Sequence, residues 1–80
     1  MGIIFDNPMV EEELLLKIGI RIKELRTEKG MTQQEFSAAL DSEKSNVSRL
    51  ESGRINPRIA TLYKVAQVLE VSLSDLLMIE

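Results

Sequence analysis

Apolar residues recur three or four positions apart in five segments of this 80-residue chain, and none of them alternates strictly between apolar and polar as strands do. The first segment places its apolar residues at Leu14, Ile18, Ile22 and Leu25. This spacing predicts one apolar face of a long helix. Asn7 followed by Pro8 is typical of a helix start, and Gly30 is a typical helix end. The glutamates at 11–13 lie where the helix dipole favours acids. Gly19 lowers the stability of this helix by about 1 kcal/mol relative to alanine, so the alternative to a straight helix is a kink or a break at this residue.

The other four segments are shorter and carry their own start and stop signals. Thr32 opens the second with "TQQE", in which Thr32 and Glu35 are placed to form a capping box. The third runs from Ser42 or Glu43 to Gly53, the fourth follows "NP", and the fifth starts at "SLSD". The apolar faces are Phe36, Ala39 and Leu40 in the second helix, Val47 and Leu50 in the third, Ile59, Leu62, Tyr63, Ala66 and Leu69 in the fourth, and Leu73, Leu76 and Leu77 in the fifth. Because every link is short, the pattern predicts an all-α domain of five helices.

The second and third helices carry the clearest functional signal. The third helix has only Val47 and Leu50 to bury, so most of its surface is polar and faces outward. The link "DS" before it allows only a sharp corner, and two short helices joined in this way form a helix-turn-helix. The later helix of such a pair enters a DNA major groove about 12 Å wide, where small, hydrogen-bonding side chains fit and bulky apolar ones do not. The polar residues of the third helix are Lys44, Ser45, Asn46, Ser48 and Arg49.

Charge is distributed unevenly along the chain. The net charge of −3, taken alone, argues against a nucleic-acid binder. Residues 44–64 nevertheless contain five basic residues and one acid, which gives this window a charge of +4. The basic residues are Lys44, Arg49, Arg54, Arg58 and Lys64, and the acid is Glu51. The window begins inside the third helix and continues into the loop after it, which favours nucleic acid as the partner; the alternative is an ordinary solvated face.

Missing residue types exclude several kinds of site. The chain has no cysteine and no histidine, so disulfides and thiolate metal sites are excluded and the commonest metal ligand and general base is lacking. We therefore predict that the protein is not an enzyme and has no metal or cofactor, and no small-molecule ligand is evident. No apolar run approaches the roughly 18 residues of a membrane span, and "MGIIFDNPMV" lacks the basic start of a signal peptide. We expect a cytoplasmic protein that does not associate with membranes.

Three strings resemble the DNA-binding domain of the Cro and phage-repressor family of helix-turn-helix regulators. They are "IGIRIKELRTEKGMTQQEFSAAL", "SNVSRLESGRINP" and "TLYKVAQVLEVSLSDLL", which together span residues 18–77. The resemblance implies five helices and sequence-specific binding of operator DNA, usually as a dimer. It divides the chain into an N-terminal arm and extension of helix one at 1–17 and the DNA-binding domain at 18–80. Arg58 departs from the family pattern, because many members place a serine or threonine cap there.

The resemblance also implies roles for individual residues. The positions expected to contact base edges are Lys44, Ser45 and Arg49, with Asn46 as a further candidate. The positions expected to meet phosphates are Thr32, Gln33, Ser52, Arg54 and Arg58. Arg26 and Glu51 match positions that pair across the fold, which makes both structural; the alternative for Arg26 is a phosphate contact. For Lys44 and Arg49 the alternative is that they are exposed cations that contact phosphates or nothing.

The expected function is that of a transcriptional regulator, repressor or activator, that places helix 43–51 in the major groove of a palindromic operator. A homodimer is expected because Leu76 to Ile79 are four consecutive apolar residues, which cannot all face one core from a short helix. The N-terminal extension has the same apolar excess, in Met9, Val10, Leu14, Leu15 and Leu16. The alternative function is an antitoxin-like or other protein-binding helix-turn-helix module.

Overall fold

A computed structural model describes residues 10–79, and all the regular secondary structure in this range is helical. The helices are α1 (Glu11–Glu28), α2 (Gln33–Ala39), α3 (Lys44–Glu51), α4 (Ile59–Leu69) and α5 (Leu73–Leu76). The predicted all-α, five-helix architecture is therefore confirmed. Between residues 10 and 79, no helix is both long enough and apolar enough to cross a bilayer.

The helix starts follow the predicted signals in part. The predicted start at Asn7 and Pro8 lies outside the described residues; within them, α1 begins at Glu11 after an extended residue, Val10. The capping box at the start of α2 is present. Arg58 precedes α4 and makes no side-chain capping bond, as its departure from the family pattern implies. The corner between α2 and α3 spans residues 40–43, so the predicted two-residue link was too short.

The ends of α1 to α4 share one geometry. Gly30 and Gly53 follow α1 and α3 with φ of 77° and 75°, and Asp41 and Glu70 follow α2 and α4 with φ of 55° and 60°. In each case the next residue donates its amide to the carbonyl five positions earlier, at 2.9 to 3.1 Å. This is the Schellman motif, which satisfies the last helical carbonyls and reverses the chain. The reversals allow five helices to pack through short links.

The core forms where the five helices meet. It consists of Ile18, Ile22, Phe36, Leu40, Val47, Leu50, Leu62, Val65, Ala66, Leu69 and Leu76. Four predicted apolar positions are exposed: Leu14, Ala39, Ile59 and Tyr63, with 38% for Leu14 and 62% and 54% for the last two. The buried face of α4 is rotated relative to the predicted one, because Val65 faces the core and Tyr63 does not. In α2 the buried small residue is Ser37, whose hydroxyl donates to the Gln34 carbonyl at 2.8 Å.

Gly19 lies where the backbone of α3 comes very close to α1. The helix runs unbroken from Glu11 to Glu28, so Gly19 does not break it. A Cβ atom at this position would lie 2.5 Å from the Glu51 carbonyl oxygen and 2.6 Å from that of Leu50. Since real Cβ atoms essentially never come this close to backbone oxygen, only glycine lets the end of α3 rest on α1. The position of α3 in the fold therefore depends on this residue.

Candidate nucleic-acid interface

The capping box fixes the beginning of α2. The Glu35 amide donates to Thr32 Oγ1 at 3.0 Å, and the Thr32 amide donates to Glu35 Oε1 at 2.8 Å. The bond from the Thr32 backbone, and secondarily one with its side chain, lowers the pKa of Glu35. Phe36 follows, fully buried, and anchors the helix in the core. The first turn of α2 is therefore held in place beside α3, with Thr32 itself exposed.

α3 presents two chemically distinct faces. Val47, Leu50 and Glu51 are buried, with at most 6% of each residue exposed. The remaining residues of the helix are all exposed: Lys44, Ser45, Asn46, Ser48 and Arg49. The structure thus places the four predicted base-contact residues together on the open side of one helix, which is held from behind by two apolar side chains.

A buried ion pair joins the end of α1 to the end of α3. Arg26 Nε lies 2.6 Å from Glu51 Oε2, and Arg26 Nη2 donates to Glu51 Oε1 at 3.0 Å. The Arg26 Nη1 group donates to the Met31 carbonyl at 2.7 Å. The two side chains are only 8% and 3% exposed, so all three nitrogens of the guanidinium are engaged inside the protein. This geometry disfavours the alternative in which Arg26 reaches a DNA phosphate.

Gln33 shares the Glu51 carboxylate. Its Nε2 donates to Glu51 Oε1 at 3.0 Å, and the side chain is partly buried. One amide hydrogen is therefore used, which leaves the second hydrogen and the backbone N–H as possible donors to a phosphate. The phosphate contact of Gln33 stays a prediction. The bond to Glu51 was not predicted, and no local sequence signal could have indicated it, because the partners are 18 positions apart.

The basic window is more positive at its surface than its sequence indicates. Glu51, the one acid between residues 44 and 64, is buried against Arg26, whose charge it balances. The five basic residues of the window are all exposed: Lys44, Arg49, Arg54, Arg58 and Lys64. Arg58 and Lys64 line the same groove as Asn46 of α3. Arg58 of the loop and Lys64 of α4 therefore lie on the same surface as the polar side of α3.

Side chains along one edge of α3 are hydrogen-bonded to each other. Arg49 Nη1 donates to Asn46 Oδ1 at 3.0 Å, and Asn46 Nδ2 donates to Ser42 Oγ at 3.2 Å. Ser52 Oγ donates to the Arg49 carbonyl at 3.2 Å. Asn46 and Arg49 are spaced i, i+3 on one face of α3, and this spacing is the sequence signal for their bond, whereas Ser42 lies two positions before the helix. The predicted contacts of Asn46 and Ser52 with DNA stay predictions.

A second surface is a groove between α1 and the C-terminal end of the described chain, and its lining includes the charged residues Lys17, Arg21 and Glu24 as well as apolar ones. Met78, which is 68% exposed, and Ile79 line this groove together with Ile20 on α1, which is 47% exposed. The Asp75 carbonyl near the end of α5 accepts bonds from Arg21 Nη2 at 2.9 Å and Arg21 Nε at 3.3 Å, which ties this end of the chain to α1. Leu76, in contrast, is fully buried. We refer to the groove lined by Ile20, Met78 and Ile79 as the terminal groove.

Comparisons with known proteins agree with this architecture. The helix-turn-helix family model HTH_3 matches residues 22–76, which include α2 to α5. An uncharacterized HTH-type transcriptional regulator of Sinorhizobium fredii, y4dJ, is 46% identical over 55 residues, which cover 69% of this chain and 71% of that protein. In the crystal structure of SinR, described as the master regulator for biofilm formation, in complex with DNA, the matching chain is 43% identical with a TM-score of 0.68, and the match covers 75% of this chain and 97% of that chain. A chain in the structure of the complex between the SinR and SinI proteins is 42% identical with a TM-score of 0.71, and the match covers 76% of this chain and 60% of that chain.

Proposed function

This chain belongs to the HTH_3 helix-turn-helix family, and we propose that within it the protein is a transcriptional regulator, not an enzyme, that binds specific duplex DNA in the cytoplasm. One observation carries the proposal: α3 exposes a continuous polar and cationic face while Val47 and Leu50 fix it to the core. Such a helix matches the major groove in size and in chemistry. The relatives that resemble this chain include a regulator solved on DNA.

Specificity and affinity are assigned to different residues in this proposal. Base edges are read from α3, by Lys44, Ser45 and Arg49, with Asn46 beside them. Phosphates are held on either side of α3, by Thr32, Gln33, Ser52, Arg54 and Arg58. Phosphate contacts fix the register of the protein on the duplex but carry no direct sequence information. The exposed cations of this surface also counter the repulsion between DNA and a chain whose net charge is −3.

Replacing Arg49 with alanine is expected to weaken binding to the preferred site by about 1 to 3 kcal/mol and to relax the preference at one base pair. The site is first selected from a pool of random duplexes, and both proteins are then titrated against selected and random DNA. Arg54→Ala is the matched control, because it removes the same side chain from a predicted phosphate position. It should weaken both titrations equally and reduce the salt slope by about 1. An Arg49 variant that lost affinity equally for both DNAs would contradict the base-reading role.

We further propose a homodimer that binds a palindromic operator, with the terminal groove in the interface. The groove supports this because Met78 and Ile79, which belong to the apolar run predicted to dimerise, adjoin the exposed Ile20 of α1. Leu14 and Leu16 of the predicted N-terminal set are exposed on the same helix. A two-fold axis would hold two copies of α3 about 34 Å apart, which corresponds to half-sites one helical turn apart.

Sedimentation of the purified protein at micromolar concentration is expected to show a dimer without DNA. Met78→Glu should produce a monomer, because it places a charge in the proposed interface. Ile59→Glu is the matched control, since Ile59 is similarly exposed but lies on α4, and this variant should remain dimeric. A monomeric wild-type protein together with a selected site that lacks two-fold symmetry would contradict the proposal.

The second candidate function is an antitoxin-like or other protein-binding module. Ile59 and Tyr63 favour it, because they expose apolar surface one turn apart on α4, and the relative SinR was solved with a protein, SinI. Exposed apolar surface of this kind is typical of protein-binding sites. The state of the purified protein separates the two candidates: a dimer by itself favours the regulator that uses its apolar surface for self-association.

A further inference from the structure

We propose that Asn46 acts as a positioning residue for Arg49 instead of contacting a base itself. This inference rests on the proposed function, in which Arg49 reads a base pair. The Asn46 side chain is bonded at both of its polar ends, to Arg49 at 3.0 Å and to Ser42 at 3.2 Å. A residue that reads a base bidentately presents a donor and an acceptor to the groove, and in Asn46 one amide hydrogen and one lone pair of the carbonyl oxygen are already bonded within the protein.

Chemistry fixes the orientation of the Asn46 amide. An arginine side chain has five N–H donors and no acceptor, so only the carbonyl oxygen of Asn46 can face Arg49. The NH2 group must then point the other way, toward Ser42, whose hydroxyl oxygen accepts from it. With the amide turned round, the NH2 group would face the guanidinium and the bond to Arg49 would be lost. The three side chains therefore specify one arrangement.

Ser42 connects this arrangement to the rest of the fold. Its backbone amide donates to the Ser37 carbonyl at 2.9 Å, which is part of the Schellman motif at the end of α2. A continuous series of bonds thus runs from the end of α2 through Ser42 and Asn46 to Arg49. The corner of the helix-turn-helix in this way sets the direction of the proposed base-reading guanidinium.

Holding Arg49 in one orientation before binding is expected to strengthen its contact with DNA. A free arginine side chain samples many rotamers, and part of this freedom is lost when it binds a base. The bond to Asn46 uses one N–H of Nη1, and the guanidinium keeps four others for the two acceptors of a guanine. Pre-organisation before binding improves affinity because less freedom remains to be lost. Asn46 therefore contributes to the specificity assigned to Arg49.

A double-mutant cycle in the full 80-residue chain tests this role. Asn46→Ala should weaken binding to the selected site about three- to tenfold and relax preference only at the base pair that Arg49 reads. In an Arg49→Ala background the same substitution should have no further effect, because its target is already absent. Asn56→Ala is the matched control: it removes the same exposed side chain from the loop and should leave the base preference unchanged. Additive losses, or a relaxed preference at a different base pair, would show that Asn46 reads DNA directly and would overturn the inference.

A measurement without DNA separates this inference from the proposed function. The motion of each arginine side chain is measured by 15N relaxation of its Nε–H group. Asn46→Ala should increase the motion of Arg49 and leave Arg54 unchanged, and Ser42→Ala should increase the motion of Arg49 by a smaller amount. Unchanged Arg49 motion in Asn46→Ala would overturn the positioning role even if the protein binds DNA selectively. A wild-type protein with no sequence preference would instead contradict the proposed function, whatever the motion of Arg49.

Discussion

Replacing Glu51 with alanine is expected to destabilise the fold by about 3 to 5 kcal/mol, because it leaves the Arg26 guanidinium buried without its counter-ion. The Arg26 side chain is 8% exposed and cannot regain water without opening the contact between α1 and α3. Gln33 loses its partner in the same variant. For a domain of this size, such a loss should lower the melting temperature by at least about 12 °C. Urea unfolding followed by circular dichroism measures the free energy directly.

Two further variants make the test of this pair specific. Glu13→Ala is the matched control, since it removes an acid whose pairing with Lys17 is exposed to water, and its effect should be far smaller. The double variant Arg26→Met with Glu51→Leu should lose less stability than the sum of the two single variants, because no charge is left unpaired in the core. Losses that simply add would mean that the two side chains do not stabilise the fold as a pair.

Replacing Gly19 with alanine is expected to destabilise the protein by about 1 to 3 kcal/mol, the usual cost of overpacking a tight contact. Helix propensity alone predicts the opposite sign, because alanine in the middle of a helix is better than glycine by about 1 kcal/mol. The new Cβ would lie 2.5 Å from a backbone oxygen of α3, which cannot rotate away as a side chain would. Either α3 moves or the helices separate, so DNA affinity should fall together with stability.

Gly30→Ala separates this packing effect from backbone strain. Gly30 has a φ of 77° and no atom within 4 Å of its would-be Cβ, so its substitution strains the backbone without a collision. It should cost about 1 to 2 kcal/mol and leave the DNA affinity of the folded protein unchanged, because α3 does not move. Gly19→Ala should in contrast impair DNA binding even under conditions where the variant is folded. A stabilised Gly19→Ala protein in urea unfolding would contradict the role of Gly19 in helix packing.

Local sequence signals determined where the helices lie. The "TQQE" capping box and the glycines at 30 and 53 act on backbone groups within a few positions, so their effect can be predicted from the sequence without knowledge of the tertiary structure. The same holds for the polar face of α3, because its short apolar stripe of Val47 and Leu50 leaves the residues 44–46, 48 and 49 exposed, and Glu51 is the one polar residue of the helix that is buried. From these signals the five-helix architecture and the position of the helix-turn-helix could be predicted.

Tertiary packing alone decided which of several possible contacts each side chain makes. The sequence of α4 offers two overlapping apolar faces, and only the neighbouring helices select the one that buries Val65 and exposes Tyr63. Gly19 has a low helix propensity. It is required because the end of α3, more than thirty positions away in the chain, packs against its backbone. Gln33 meets Glu51 for the same reason, since a bond between distant residues is specified by how whole helices pack and not by any local pattern. The sequence by itself thus determined the helices and the chemistry of the exposed face of α3, whereas the tertiary structure decided how that face is held.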